Sequence, residues 1–267
     1  MLHADIISRY RAFLLDVDGV LIRGAAPLPG AADALATLRA RGSTLLLTNN
    51  SSRTRAQSAG RLRGFGFQVE SDDVMTTSRI AALYLREECQ RVRFWPLGEE
   101  GLIAELKAEG HLRAAAPEEA EWVVAGIDRQ LSYDRLAEAL VALRAGAKLL
   151  ATNTDPTFPV PGGVLPGAGA VVGALQGMGF PVDVNVGKPS AYAYRIALNQ
   201  LGSCTQDVLM IGDRLETDID GGRQAGLDTA LVLTGVTDRK VARASGIRPT
   251  WVAESLPALV AGDVEPG

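Results

Sequence analysis

Ala12-Phe13-Leu14-Leu15-Asp16-Val17-Asp18-Gly19 begins with four apolar residues and then sets down a carboxylate, a second carboxylate two positions on, and a glycine. An apolar run this short, closed by polar residues and glycine, reads as a buried strand, since about four to eight residues suffice for a strand and not for a buried helix. Similar runs occupy residues 44–47, 122–125, 148–151, 208–211 and 229–233. Residues 31–41, 53–64, 133–145, 190–201 and 216–225 between them have helical spacing, with Gly42, Gly64, Gly146, Gly202 and Gly226 at their ends as helix stops. Strands alternating with helices predict an α/β fold, doubly wound about a parallel sheet.

A chain of 267 residues accommodates one large α/β domain or two smaller ones. Its 47% hydrophobic and 22% charged residues are those of an ordinary folded protein, which excludes disordered and fibrous classes. The net charge of −4 and the lack of a basic run argue against nucleic acid as partner. No apolar stretch approaches the roughly 18 residues of a membrane span, and residues 1–11 lack the blocks of a signal peptide. A cytoplasmic protein with a small-molecule partner is expected, with no membrane association. Two cysteines, Cys89 and Cys204, and two histidines, His3 and His111, form no zinc-ligand pattern, so both cysteines read as reduced and structural.

Residues 79–183 carry strands and helices of their own, which predicts a second α/β domain inserted into the first. The expected division is a core of residues 1–78 and 184–267 around an insert of residues 79–183. Within the insert, residues 153–169 hold Pro156, Pro159, Pro161 and Pro166 and read as loop.

Asp16, Thr48 and Asp213 each stand at the end of an apolar run. Ligands of open parallel sheets bind beyond the carboxyl ends of the strands, so these distant residues are expected to converge. Asp16 and Asp18 together could divide ester hydrolysis, one attacking phosphorus and the other moving the proton. The pair alone is weak, because Asp218 and Asp220 repeat it and a solvated turn would explain either. Thr48-Asn49-Asn50-Ser51 offers hydroxyl, amide and backbone donors to phosphate ahead of a helix, although Ser51 or Ser52 could simply cap that helix. Lys188, one of only four lysines among 27 cationic residues, precedes another helix and could neutralise both phosphate and an attacking carboxylate. Asp16 and Asp213 supply the one or two carboxylates that magnesium favours. Asp218 is expected to support the metal from outside its ligand set, or merely to stabilise the start of a helix.

In order and spacing, Asp16-x-Asp18-Gly19, Thr48, Lys188 and Gly212-Asp213-x4-Asp218 resemble the haloacid dehalogenase superfamily, over nearly the whole chain. Residues 151–156 (Ala-Thr-Asn-Thr-Asp-Pro) and 166–169 (Pro-Gly-Ala-Gly) are similar to the cap of its NagD, 4-nitrophenylphosphatase and phosphoglycolate phosphatase subfamily. The resemblance implies a Rossmann-like core with an inserted α/β cap, often dimeric through the cap. It implies Asp16 as nucleophile, Asp18 as acid and base, and Mg2+ held by Asp16, Asp213 and the Asp18 carbonyl. Thr48, Asn49, Asn50 and Lys188 are implied to hold the phosphoryl group, with Asn153, Asp155 and Phe158 meeting the substrate from the cap. Phe158 stands where pyridoxal phosphatases place a histidine, which argues against pyridoxal phosphate.

The expected activity is therefore magnesium-dependent hydrolysis of a small phosphate monoester through an aspartyl-phosphate. A nucleotide, phosphoglycolate, glycerol phosphate and a sugar phosphate are all open as substrates. A phosphomutase of the same fold is the nearest alternative, disfavoured by the extended insert. A non-catalytic phosphate-binding or signalling module is a more distant one, since an Asp-phosphorylated switch would fit in about half this length.

Overall fold

The computed structural model of the chain describes residues 6–160 and 162–267; His3 and Pro161 lie outside them. Two compact units emerge. The first holds the described residues up to Thr48 together with Ala59–Met75 and Lys188–Gly267, and the second holds Asn49–Ser58 and Thr76–Gly187. Asn49–Ser58, which the sequence grouped with the core, thus packs with the insert.

In the first unit a seven-stranded sheet has the order Glu265–Pro266, Trp251–Ala253, Asp228–Val232, Val208–Gly212, Ala12–Leu15, Ser43–Thr48, Val74–Thr76. Trp251–Ala253 through Ser43–Thr48 pair in parallel, and Glu265–Pro266 is added antiparallel. Side chains alternate across the sheet as strand geometry requires. Phe13, Leu15, Leu46, Leu209, Ile211, Ala230 and Val232 share one core with Leu35 and Leu38 of helix Ala31–Arg41. Leu14, Leu45 and Met210, one residue out of phase, are buried as well, and helix Ala191–Leu201 packs on strand Ser43–Thr48.

The chain runs outward from Ala12–Leu15 to Ser43–Thr48 and Val74–Thr76, then returns to Val208–Gly212 on the opposite side of its starting strand. Strand order therefore reverses between Ala12–Leu15 and Val208–Gly212, and crevices form at such a point beyond the carboxyl ends. Asp16 and Asp213 are the residues that follow these two strands. All four residues of Ala12–Leu15 are fully buried. Their burial contributes on the order of 5 kcal/mol as an upper bound, comparable with the cost of holding one carboxylate out of water.

The second unit is built on a five-stranded parallel sheet in the order Val184–Asn185, Lys148–Ala151, Trp122–Ala125, Arg93–Leu97, Leu112–Arg113. Helices Tyr133–Arg144 and Ala168–Gly177 bury Ala139, Ala142, Val172 and Leu175 against Val123, Ala125, Leu149 and Ala151.

Two local expectations are corrected. Residues 153–169 are not all loop, because Thr157–Val160 and Gly163–Pro166 form an antiparallel ribbon. In a two-stranded ribbon every strand is an edge, so a proline such as Pro159 need not interrupt a ladder. The helix after Thr48 is Arg55–Arg63, and Thr54 caps it in place of Ser51 or Ser52. The Thr54 hydroxyl accepts from Gln57 N (3.1 Å) and Gln57 Oε1 accepts from Thr54 N (2.9 Å), a reciprocal capping box. Cys89 and Cys204 are both free thiols, and both are exposed. Among the described residues no helix is long and apolar enough to cross a membrane.

Candidate active site

Asp16 remains tied to the sheet by its backbone, its N–H donating to Ile211 O at 2.8 Å, while its side chain passes beyond the strand end. There Lys188 Nζ donates to Asp16 Oδ1 at 2.6 Å and to Asp218 Oδ1 at 2.7 Å. All three residues are buried, with Lys188 3% exposed and Asp218 fully enclosed, so solvent screens these pairs little. Asp213, 1% exposed, completes the group, and carboxylate oxygens of Asp16, Asp213 and Asp218 all lie within 4.8 Å of one another.

Each aspartate is bonded differently. Asp218 uses both oxygens, since Oδ2 accepts the backbone N–H groups of Asp213 (3.2 Å) and Arg214 (3.1 Å) while Oδ1 faces Lys188. Asp213 Oδ2 accepts Val236 N–H at 2.6 Å, and its Oδ1 is buried without a hydrogen-bond partner. A buried acceptor left unpaired is costly, and a cation beside it would remove that cost. The donor set of hard carboxylate oxygens suits magnesium. The cluster of Asp16, Asp213 and Asp218 therefore fits a divalent metal, with Asp213 Oδ1 open to one and both oxygens of Asp218 already bonded to Lys188, Asp213 N–H and Arg214 N–H.

Glycines make this packing possible. Gly19 has φ +94°, a conformation unfavourable for L side chains, and a Cβ there would strike the Asp213 carboxyl. Cβ atoms at Gly235 and Gly212 would overlap Asp213 and Asp218. Thr234 Oγ1 donates to Gly19 O at 2.6 Å, joining the turn that carries Asp18 to the loop that clamps Asp213. Asp18 is half-buried on that turn, and its charge acts on Asp16.

The electrostatics follow from three carboxylates and one ammonium in a nearly dry space. Burial raises Asp16 well above the ordinary carboxylate range, and Asp218, Asp213 and Asp18 push the same way against Lys188. Burial, then the Asp218 charge, lifts Asp213 to about 7, with Val236 N–H, Arg214 and Lys188 opposing. Burial works against the Lys188 charge, but Asp16 and Asp218 outweigh it and hold the ammonium protonated.

In the metal-free protein the stability of this cluster depends on pH. Asp213 titrates near 3.8 when unfolded and near 7 when folded, so the folded state holds the extra proton between those values. Its favourable contribution is complete at low pH and is lost as pH rises through about 7. A magnesium ion at Asp213 would compete with that proton, so the rise in melting temperature on adding magnesium should be larger at pH 8 than at pH 5. Equal shifts at the two pH values would contradict this.

Thr48 is buried at the end of the strand beside Ala12–Leu15. Asn49, Asn50, Asn153, Asp155 and Phe158 belong to the second unit. There Asn49 Nδ2 donates to Asp155 Oδ2 (2.9 Å), Asn153 Nδ2 donates to Asn49 O (2.7 Å), and Asn153 Oδ1 accepts Asp155 N–H (3.0 Å). Asn50 Oδ1 accepts the N–H of Ser52 at 2.9 Å and its hydroxyl at 3.0 Å. Phe158 is half-buried in the ribbon opposite Leu165.

The expected helix at residues 216–225 is instead a six-residue π-helical turn, Leu215–Asp220, running into Gly221–Gln224. The wider turn brings Asp218 under the strand end, where it meets two N–H groups and Lys188, and π turns are frequent at functional sites. Sequence reading missed the loop formed by Thr234, Gly235 and Val236. Its one signal was a glycine shortly after a strand, which many loops share.

Known proteins are similar to this chain over most of its length. The haloacid dehalogenase-like hydrolase family model matches residues 13–111, and a related HAD-like hydrolase model matches residues 185–259. The chain is 35% identical to the 5'-nucleotidase YutF of Bacillus subtilis, over 94% of this chain and 97% of that protein. A p-nitrophenyl phosphatase structure from Archaeoglobus fulgidus superposes with a TM-score of 0.88 at 35% identity, covering 94% of this chain and 98% of the other. A glycerol phosphate phosphatase from Mycobacterium tuberculosis, solved in complex with magnesium, gives 0.88 at 34% identity, covering 95% and 77%.

Proposed function

The chain belongs to the haloacid dehalogenase-like hydrolases, among the NagD-like and 4-nitrophenylphosphatase-type phosphatases, and from that premise we propose that it hydrolyses small phosphate monoesters in two steps through Asp16. The observation that carries this reading is the buried cluster in which Lys188 bridges Asp16 and Asp218 beside the unpaired Asp213 Oδ1.

Thr48, Asn49, Asn50 and Lys188 hold the phosphoryl oxygens. An Asp16 carboxylate oxygen attacks phosphorus in line. As that bond forms, the bond from phosphorus to the ester oxygen breaks, and Asp18 gives its proton to the departing oxygen. Water then attacks the same phosphorus and yields its proton to Asp18, and the bond to Asp16 breaks to release phosphate. Lys188 neutralises charge on Asp16 and on the transferring group in both steps, without reorganising at the moment of reaction. Mg2+, held by Asp16, Asp213 and the Asp18 carbonyl with support from Asp218, would supply further charge neutralisation at the phosphoryl oxygens. Residues 79–183 act as the cap that sets substrate choice, with Asn153, Asp155 and Phe158 as its contact residues, and as the surface through which a dimer forms.

Purified protein should release 4-nitrophenol from 4-nitrophenyl phosphate with magnesium and lose at least about 100-fold of that rate on chelation, recovering when magnesium is returned. Turnover indifferent to chelation would remove the metal from the proposal. Absence of phosphate release from the aryl ester and from a panel of nucleotides, glycerol phosphate and sugar phosphates would remove the phosphatase reading.

A further inference from the structure

Lys188 lies just ahead of helix Ala191–Leu201, whose N-terminus is capped by Ser190, and six residues after Lys188 the helix carries Tyr194. Tyr194 has no exposed surface and is the bulkiest of the fully buried side chains. Its hydroxyl reaches the π-helical turn that carries Asp218, donating to Thr217 O at 2.6 Å, with Asp218 O at 3.3 Å. In a regular α-helix the donor to Thr217 O would be Gly221 N–H, but here that group donates to Asp218 O. The tyrosine hydroxyl thus takes up a carbonyl that the irregular turn has displaced from its usual partner.

The ring fits closely on its other side. A Cβ at Gly221 would lie 2.8 Å from both Cε2 and the hydroxyl oxygen of Tyr194, so the turn can approach only because residue 221 has no side chain. One end of the bridge is the segment that delivers Lys188. The other is the pair of peptide units that orient Asp218, whose two oxygens in turn hold Lys188 Nζ and the N–H groups of Asp213 and Arg214.

We propose that Tyr194 is a positioning residue for the phosphatase reaction, its hydroxyl locking the π turn so that Asp218 holds both Lys188 and the Asp213 backbone in register. It touches neither substrate nor metal and acts through Asp218. The assignment rests on the reading of the cluster given under the proposed function. Any side chain of similar volume would fill the core. Only a hydroxyl at this reach ties the two segments, so the positioning and packing roles separate experimentally.

Tyr194→Phe keeps the ring and removes the tie. Binding of magnesium alone and of inorganic phosphate, each followed by calorimetry, should weaken about fivefold, and kcat at saturating magnesium should fall about tenfold. Tyr194→Leu removes the ring as well. It should unfold at a clearly lower temperature than the Phe variant while binding magnesium and phosphate no worse, because the hydroxyl is already gone. If the Phe variant binds both within twofold of wild type and keeps its kcat, Tyr194 only packs and the proposal is overturned. An Asp16→Asn protein as active as wild type would overturn the cluster reading itself, and the role of Tyr194 with it.

Discussion

Asp16→Asn should reduce turnover of any phosphate monoester by at least about 10⁴-fold, the scale seen when a covalent nucleophile is removed and only binding and electrostatics are left. Asparagine is nearly isosteric, so the fold has no steric reason to change. The charge balance changes in a direction that separates chemistry from stability. Asp16 is buried and held above the ordinary carboxylate range, with Asp213 and Asp218 raising it further, so its ionised form is disfavoured in the metal-free site. A neutral amide relieves that repulsion while giving up the ion pair with Lys188 Nζ at 2.6 Å. These effects oppose, so the metal-free melting temperature should stay near that of wild type while turnover disappears. A variant that retains more than about a tenth of the rate, measured as phosphate release with magnesium, would show that Asp16 is not the nucleophile.

Much of the frame behind this prediction is local and could be read directly. The strands Ala12–Leu15, Trp122–Ala125 and Lys148–Ala151 occupy the residues that apolar runs indicate, and helix Ala31–Arg41 keeps both expected ends. Burial on both faces of a parallel sheet leaves short continuous apolar runs, and glycine marks helix ends, so these signals survive without knowledge of partners. Convergence of Asp16 and Asp213 follows from strand order, a topological consequence of βαβ alternation.

What escaped reading depends on contacts between distant residues. Val236 N–H reaches Asp213 across 23 positions, and any residue but proline supplies an N–H. The site is specified there by what Gly19 and Gly235 lack. Tyr194 looks like any aromatic on the inner face of an amphipathic helix until Thr217 O is seen at its hydroxyl. The π turn at Leu215–Asp220 has ordinary helical spacing in its letters, and only the bonds to Asp218 explain its widening. The ribbon of Thr157–Val160 and Gly163–Pro166 is hidden in the sequence by prolines, which exclude a central strand but not a two-stranded edge.

Lys188→Met should harm both stability and catalysis, and magnesium should separate the two. Methionine fills most of the volume of the lysine stem but leaves Asp16, Asp213 and Asp218 without their ammonium. The ion pairs of Lys188 with Asp16 and Asp218 are shorter than 2.8 Å and shielded from water, so they fall in the class whose disruption costs about 3–5 kcal/mol rather than the small value of a surface ion pair. For a chain of this size the metal-free protein should melt about 10 °C lower. The loss should be greater at pH 8 than at pH 5, since the carboxylates whose pKa is already raised, Asp16 and Asp213, take up protons at the lower pH and no longer need a counter-charge. On the proposed metal site, added magnesium would return positive charge to Asp16 and Asp213 and should recover much of the melting temperature. It does not replace the ammonium that faces Asp218 and the transferring phosphoryl group, so turnover should stay down by roughly 10²–10³-fold even with magnesium saturating. Lys188→Arg should not rescue it, because the larger planar guanidinium must fit a buried space that holds a compact ammonium 2.6 Å from Asp16 Oδ1 and 2.7 Å from Asp218 Oδ1. A Met variant that melts with the wild type in chelator would show that the carboxylates do not depend on Lys188. Full recovery of turnover by magnesium would show that positive charge alone, and not its position between Asp16 and Asp218, is what the reaction requires.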